Sequence, residues 1–353
     1  YFGLVEAYMY TKNYAESAKY LEKFKSILVP DNLMDRGARI LQAKLAYFGK
    51  NYASVTPDVN NYVQTLTKQI SAEIFLFDDQ KRQSQAKDLQ SVTNDLCAFI
   101  QADALQKKMP KLIEIVIDFQ LFTKSILLTA TQKIRADILN GNDQTQKQSY
   151  AKWINQKEEL AYYYTFPKAE LVDQNIDLAQ LEARADSLEK VLARNNAAYN
   201  NTTKNLATNW QTIRLALRPG EAALEIVRYQ GQLQQLSDEV HYAIFILSPE
   251  LTEPVVLFIQ NGEELEQVLL EKHLSACTSA QSTAPGIDLY NAVWKNIEPY
   301  VKNAKTIFVA ADGCFHKINF ASLRQPDNTY LADRYSFQPV FSLKDILKEP
   351  GTV

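Results

Sequence analysis

The character of the chain changes near residue 210. Before that point apolar residues recur at helical spacing and glycines are few; after it they gather into short runs bounded by turn-forming residues. A helical region followed by an α/β layer satisfies both patterns, and few other folds do. With 353 residues, 46% of them hydrophobic and 22% charged, the chain is long enough for two domains with real cores. We place the boundary at 205/206, with a helical region over 1–205 and an α/β region over 206–353.

The helical half carries an internal echo. "AYMYTKNYAES" at 7–17 is answered by "AYFGKNYASV" at 46–55, and Lys-Asn-Tyr-Ala recurs at Lys12 and Lys50, 38 residues apart. A tyrosine, a tight Asn-Tyr turn and then small residues predict a helix hairpin whose second helix packs on its first. Further on, Leu178, Leu181, Ala185, Leu188 and Leu192 alternate spacings of three and four, which draws one narrow apolar stripe along a helix. That stripe packs either on a partner helix or on its own domain. The run "KLIEIVIDFQLFTKSILL" at 111–128 contains Glu114, Asp118 and Lys124, so it is expected to be a buried helix of a soluble domain and not a membrane span.

In the second half, "LRPGEAALEIVRY" (217–229), "VHYAIFILS" (240–248) and "PVVLFIQNG" (254–262) read as a meander of strands. Two amphipathic helical stretches follow, Glu263 to about Leu274 and Asp288 to Lys302. "KTIFVAADG" (305–313) is then expected to be a strand buried on both faces.

A net charge of −3 supplies no excess of cations for a phosphate backbone, so no nucleic-acid partner is predicted. Cys97, Cys277 and Cys314 are odd in number and far apart, which suits a reducing compartment, and the cytoplasm is the expected location. The chain opens at Tyr1, not methionine, and reads as a piece of something longer.

Two thiol and imidazole pairs invite a catalytic reading. His273 and Cys277 stand four apart at the end of a surface helix, where Cβ atoms lie ~5–6 Å apart. The partial negative charge of a helix C-terminus disfavours the thiolate, and the Ser/Thr/Ala/Pro/Gly loop that follows offers no rigid pocket. Cys314 and His316 stand two apart; on an extended strand such side chains lie ~6.8 Å apart on one face, but Asp312-Gly313 reads instead as a turn, with Phe315, Ile318 and Phe320 anchoring the segment after it. Proton transfer wants a separation nearer ~3 Å. Phosphate-binding glycine loops, H-E-x-x-H and C-x-x-C are all absent from the sequence. No catalytic, metal-binding or cofactor-binding residue is therefore assigned. The tyrosines Tyr162, Tyr163 and Tyr164 either line a peptide groove or serve as ordinary packing.

The first echo copy resembles a tetratricopeptide repeat: Leu4, Tyr8, Tyr14, Ser17, Leu21 and Phe24 fall at that family's packing positions, and Pro30 falls near its terminal proline. Ser17 replaces the usual alanine. The whole order of segments resembles the CHAT family, caspase-like cysteine peptidases associated with tetratricopeptide repeats. "DFQLFTKSILLTATQKIRADILNGNDQ" (118–144) and "YAKWINQKEELAYYY" (150–164) resemble the helices between repeats and peptidase domain, and "LRPGEAALEIVRY" resembles its entry strand. "DLYNAVWKNIEPYVKNAKTIFVAADGCFHKINFASL" (288–323) resembles the family's most recognisable block, and "YLADRYSFQPVFSL" (330–343) the strand and turn after it.

The resemblance implies a multidomain protein, with a tetratricopeptide-like helical region for protein or peptide partners and then the incomplete N-terminal half of a caspase-like α/β domain. It also implies that the catalytic histidine and cysteine lie beyond residue 353, so that neither His273/Cys277 nor Cys314/His316 is the dyad. A non-enzymatic scaffold is the alternative, and a thiol enzyme in its own right is a third.

Overall fold

A computed structural model describes residues 1–28, 33–73, 79–109, 111–124, 126, 143–163, 171, 174, 176–194, 208–233, 235–278 and 286–347. They form two compact units, one of residues 1–67, 90–124 and 208–353, the other of residues 68–89 and 125–207.

The first unit begins with helices α1 (Phe2–Tyr10), α2 (Tyr14–Lys25) and α3 (Leu33–Phe48), followed by α4 (Tyr52–Glu73) and α5 (Asp79–Asp103), which continue into the second unit. The echoed tetrapeptides make the same turn. Lys12 and Lys50 both adopt left-handed backbone, at φ 63° and 61°. Asn13 N–H donates to the Tyr8 carbonyl at 2.8 Å and Lys12 N–H to Met9 at 3.0 Å. Asn51 donates to Ala46 at 2.8 Å and Lys50 to Tyr47 at 2.9 Å. These are paired six-to-one and five-to-two hydrogen bonds of a Schellman helix end, which satisfy carbonyls the helix leaves open. Asn13 then caps α2 by accepting from Glu16 N–H.

Between α1, α2 and α3, Val5, Met9, Leu21, Phe24, Ala38 and Leu41 form a closed core. Of the six expected packing positions, Ser17, Leu21 and Phe24 are buried, Tyr14 stacks on Phe48 and Tyr8 on Tyr20. Leu4 departs from the expectation and is exposed, because α1 turns Val5 and Met9 inward instead. Ser17 is tolerated in the tight contact because its hydroxyl donates to the Val5 carbonyl at 2.8 Å. Pro30 lies outside the described residues.

A helix over 112–124 (α6) buries Leu112, Val116, Ile117, Phe119, Leu121 and Phe122, as its apolar run predicts. Most of the stretch after Lys124, to residue 142, lies outside the described residues. In the second unit α7 (Gln144–Tyr163) and α8 (Leu178–Arg194) pack together, with Leu160, Tyr163, Leu181 and Ala185 at their contact. Leu178, Leu181 and Ala185 of the stripe are thus covered within the chain, and Leu188 is half-buried. Tyr162 is exposed, whereas Tyr163 packs. Tyr164 and the side chain of Leu192 lie outside the described residues.

The short helix α9 (Trp210–Ala216) leads into the sheet. Its strands are β1 (Glu221–Gln232), β2 (Gln235–Leu247), β3 (Val255–Ile259), β4 (Thr306–Ala310) and β5 (Ser336–Val340), in the order β3-β2-β1-β4-β5. The expected meander is present: β1 pairs antiparallel with β2, and β2 with β3, while β4 joins β1 and β5 in parallel. One face of the sheet, with Leu224, Ile226, Tyr242, Ile244, Ile307 and Val309, packs on two helices over 262–278 (α10) and 287–301 (α11). Each of these contains one wide π-helical turn, Leu265–Leu269 in α10 and Tyr290–Trp294 in α11. Trp294, fully buried, meets Phe320, Tyr335 and Phe337 at ring separations of 5.3–5.7 Å. The opposite face, with Ala223, Glu225, Val227, Tyr229, Ala243 and Phe245, is equally buried. Helix α5 reaches its β1 margin, where the Asn94 side chain accepts from Gln230 N–H at 3.1 Å. A helical region and an α/β layer are therefore both present.

Candidate functional site at the carboxyl ends of the parallel strands

From β1 the chain builds outward in one direction through β2 and β3, then returns to place β4 and β5 on the other side. The carboxyl end of β4 and the middle of β1 at Glu225 and Ile226, where their parallel ladder stops, flank the point where strand order reverses, the usual place for a ligand crevice in an open α/β sheet. Here a side chain of the same unit fills it. Lys124, on α6, sets its Nζ 2.6 Å from Glu225 Oε1. The same ammonium donates to the Ile226 carbonyl at 2.7 Å and lies 3.3 Å from the carbonyls of both Ala310 and Ala311.

Strand alternation puts Glu225 on the face opposite Leu224 and Ile226, where it is fully buried. Burial pushes its carboxyl up, and the Lys124 ammonium beside it opposes that shift. Its second oxygen accepts from Leu343 N–H at 3.4 Å, which ties the 3₁₀ turn Leu343–Leu347 to the same point.

A second polar cluster adjoins it. Asp312, just after β4, accepts from Arg228 N–H of β1 and from Gly313 N–H, both at 2.8 Å. The Arg228 guanidinium grips Glu266 through Nε at 2.7 Å and Nη2 at 3.3 Å. Tyr242 donates its hydroxyl to Glu266 at 2.6 Å and accepts from Cys314 N–H at 3.0 Å. Glu266 belongs to the π-helical turn of α10, and its hydrogen bond from Arg228 holds its carboxyl below the ordinary range. Burial drives the Tyr242 phenol well above its ordinary range. Gly313, at φ 54°, has no room for a Cβ against the Tyr242 hydroxyl.

The candidate pairs fall on different elements. Cys314 and His316 lie just after the turn expected at Asp312-Gly313, not on an extended strand. Asp312 caps a 3₁₀ turn over Gly313–Lys317, which buries Cys314 in the core while His316 points to solvent. Burial raises the Cys314 thiol pKa, which keeps the sulfur protonated and poorly nucleophilic. Phe315, Ile318 and Phe320 anchor the segment in the core.

His273 and Cys277 do share a helix face, with Sγ 3.7 Å from Nε2. The expectation of a surface position holds for Cys277 alone; His273 is 5% exposed, because α10 turns it inward beside Leu270. Burial lowers the imidazole pKa, so the ring is neutral at neutral pH. Its Nδ1 is buried without a hydrogen-bond partner among the described residues, so no third group orients it. The thiol lies in the last turn of its helix, where the backbone dipole works against a thiolate.

Beneath the crevice Asp118 accepts from Trp210 N–H at 2.7 Å, and burial pushes its carboxyl up to about 6. Burial brings the Lys344 ammonium down to about 8. Among the described residues no group of three or more potential ligands is placed to hold a metal ion. No described helix is long and apolar enough to cross a membrane.

Sequence reasoning missed the Lys124 and Glu225 pair. The signal was a lone cation inside "QLFTKSILL" and a lone anion inside "AALEIV", charges of opposite sign in otherwise apolar runs. Chemically the crevice is an ammonium clamp on backbone carbonyls of β1 and of the end of β4, and neither thiol discussed above belongs to an activated pair. No family model matches the chain, and no curated protein matches it.

Proposed function

We propose that this chain is the helical arm and the non-catalytic first part of a caspase-like domain of the CHAT type. The parent is a cytoplasmic cysteine endopeptidase whose His/Cys dyad lies beyond residue 353. Its tetratricopeptide-like helices bind a protein or peptide partner and regulate the peptidase. The observation that carries this reading is the run of parallel strands β1, β4 and β5, with carboxyl ends on one side and the outer edge of β5 unpaired among the described residues. A further parallel strand added at that edge would bring its carboxyl end into line with theirs, the arrangement in which a dyad at strand ends converges. The repeated helix turn at Lys12 and Lys50 supports the repeat-like arm.

Lys124 favours the second reading, a scaffold with a degenerate caspase-like domain, since the ammonium already occupies the crevice at the strand-order reversal. A fluorogenic peptide library offered to the parent protein separates the two. The peptidase reading expects turnover by the parent, its loss when the strand-end cysteine beyond 353 is replaced by serine, and none by residues 1–353 alone. Absence of turnover by the parent, or turnover undiminished in the serine variant, would overturn it.

A further inference from the structure

The first unit contains a half-open cavity of about 340 Å³ that plays no part in the strand-end crevice. Its walls come from α1, α3, α5 and the tip of the β1–β2 hairpin. On α1, Phe2, Glu6 and Tyr10 follow one another at intervals of four, so one stripe of that helix lines the cavity. Across from it Lys44 and Asp95 form an ion pair at 2.6 Å, with the lysine side chain only 9% exposed. The hairpin contributes Gly231, in left-handed backbone at φ 86°.

The charge of this cavity is unbalanced. Asp95 holds Lys44, which leaves the Glu6 carboxylate as a second anion beside one cation that is already committed. No described residue is seen to hydrogen-bond Glu6, and Lys44 reaches it only as a nearby charge. Partial burial raises the Glu6 carboxyl from its ordinary range, an effect that Lys44 opposes and Asp95 reinforces. An anionic ligand would face two carboxylates, whereas a cationic one completes the set. Two aromatic rings, Phe2 and Tyr10, share the wall with Glu6, and Phe2 is 39% exposed at the surface. Aromatic faces beside a carboxylate are the combination that holds an organic cation. The volume lies at the small end of ligand pockets, which suits one side chain and not a large cofactor.

We infer that this cavity is a binding site for an alkylammonium or guanidinium group, carried either by a basic residue of a peptide or by a free polyamine. Glu6 supplies the charge, and Phe2 and Tyr10 flank the stem. The inference stands on the cavity alone and survives failure of the peptidase reading.

Calorimetric titration of the chain tests it with three probes: an acetylated and amidated Gly-Arg-Gly peptide, the same peptide with neutral citrulline in place of arginine, and spermidine. Saturable binding of a cationic probe is expected, with the citrulline peptide at least about tenfold weaker, as loss of one charged hydrogen bond implies. Glu6→Gln should weaken the cation about tenfold, and Glu6→Lys should abolish its binding, both with unchanged melting temperatures. The tighter of the arginine peptide and spermidine identifies the source of the group. Equal affinity for arginine and citrulline peptides, no saturable binding of either cation, or binding indifferent to both Glu6 variants would each overturn the inference.

Discussion

Asp118 shows how a single residue can weaken the fold that it helps to position. Its carboxylate orients α9 through the Trp210 N–H, yet burial lifts its pKa from 3.8 to about 6. Since the folded-state value exceeds the unfolded one, the folded form holds the extra proton between them. Stability from this group is whole below about pH 4 and is lost as pH rises through about 6. Asparagine keeps an oxygen for Trp210 N–H and carries no charge at any pH. Asp118→Asn should therefore be more stable than the parent at pH 8 by roughly 2 kcal/mol, somewhat less than the whole pKa shift converts to. The gain should shrink to about a third of that near pH 4.5 and vanish only below about pH 3. Urea midpoints at the two pH values measure this, and an equal gain at both, or a loss at pH 8, would show that burial is not what strains this carboxylate. The sequence shows a charge within an apolar run at this position, but the partner at Trp210 is 92 residues away and set only by folding.

At the scale of elements, sequence and structure agree where the signal is periodic or local. The apolar helix at 112–124 and the three-strand meander follow from hydrophobic pattern, and the echo at Lys12 and Lys50 proves to be one helix-ending turn used twice. Strand β4, expected to be buried on both faces, is buried at Ile307, Val309 and Ala310 but only half-buried at Thr306 and Phe308. The π-helical turns and the 3₁₀ turn at Gly313–Lys317 were not legible. Each differs from its α-helical or extended alternative by a shifted hydrogen bond or two, and tertiary contacts make that choice: Glu266 reaching Arg228, and Cys314 N–H reaching Tyr242. The left-handed lysines carry a testable strain. A non-glycine residue there pays roughly 1–2 kcal/mol, of which glycine's greater unfolded-state freedom returns about half. Lys12→Gly and Lys50→Gly should each stabilise the chain by about 0.5–1 kcal/mol, additively because the turns are separate. Thermal unfolding of both single variants and the double decides it; a fall in melting temperature would mean that the lysine side chains contribute more than the strain costs.

For the molecule as a whole, the decisive link is the one between α6 and the centre of the sheet in the first unit. Lys124 and Glu225 stand 101 positions apart in sequence, and neither has its full meaning without the other. Glu225 is fully buried on β1, so an apolar residue at 124 would strand a carboxylate in the interior and free three backbone carbonyls at once. Removing one partner of a buried pair costs about 3–5 kcal/mol, whereas replacing both by uncharged groups of similar shape can be nearly neutral. Lys124→Met alone should therefore destabilise the first unit by about 3 kcal/mol, and adding Glu225→Gln should recover most of that loss. Hydrogen exchange gives the test its spatial reading. If the pair locks helix to sheet, amides of α6, β1 and β4 should all exchange faster together in Lys124→Met and slow together in the double variant, because one opening event exposes all three. Faster exchange confined to α6, or a double variant whose loss equals the sum of its singles, would reduce the pair to a local contact. The crevice would then have to be explained by apolar packing alone.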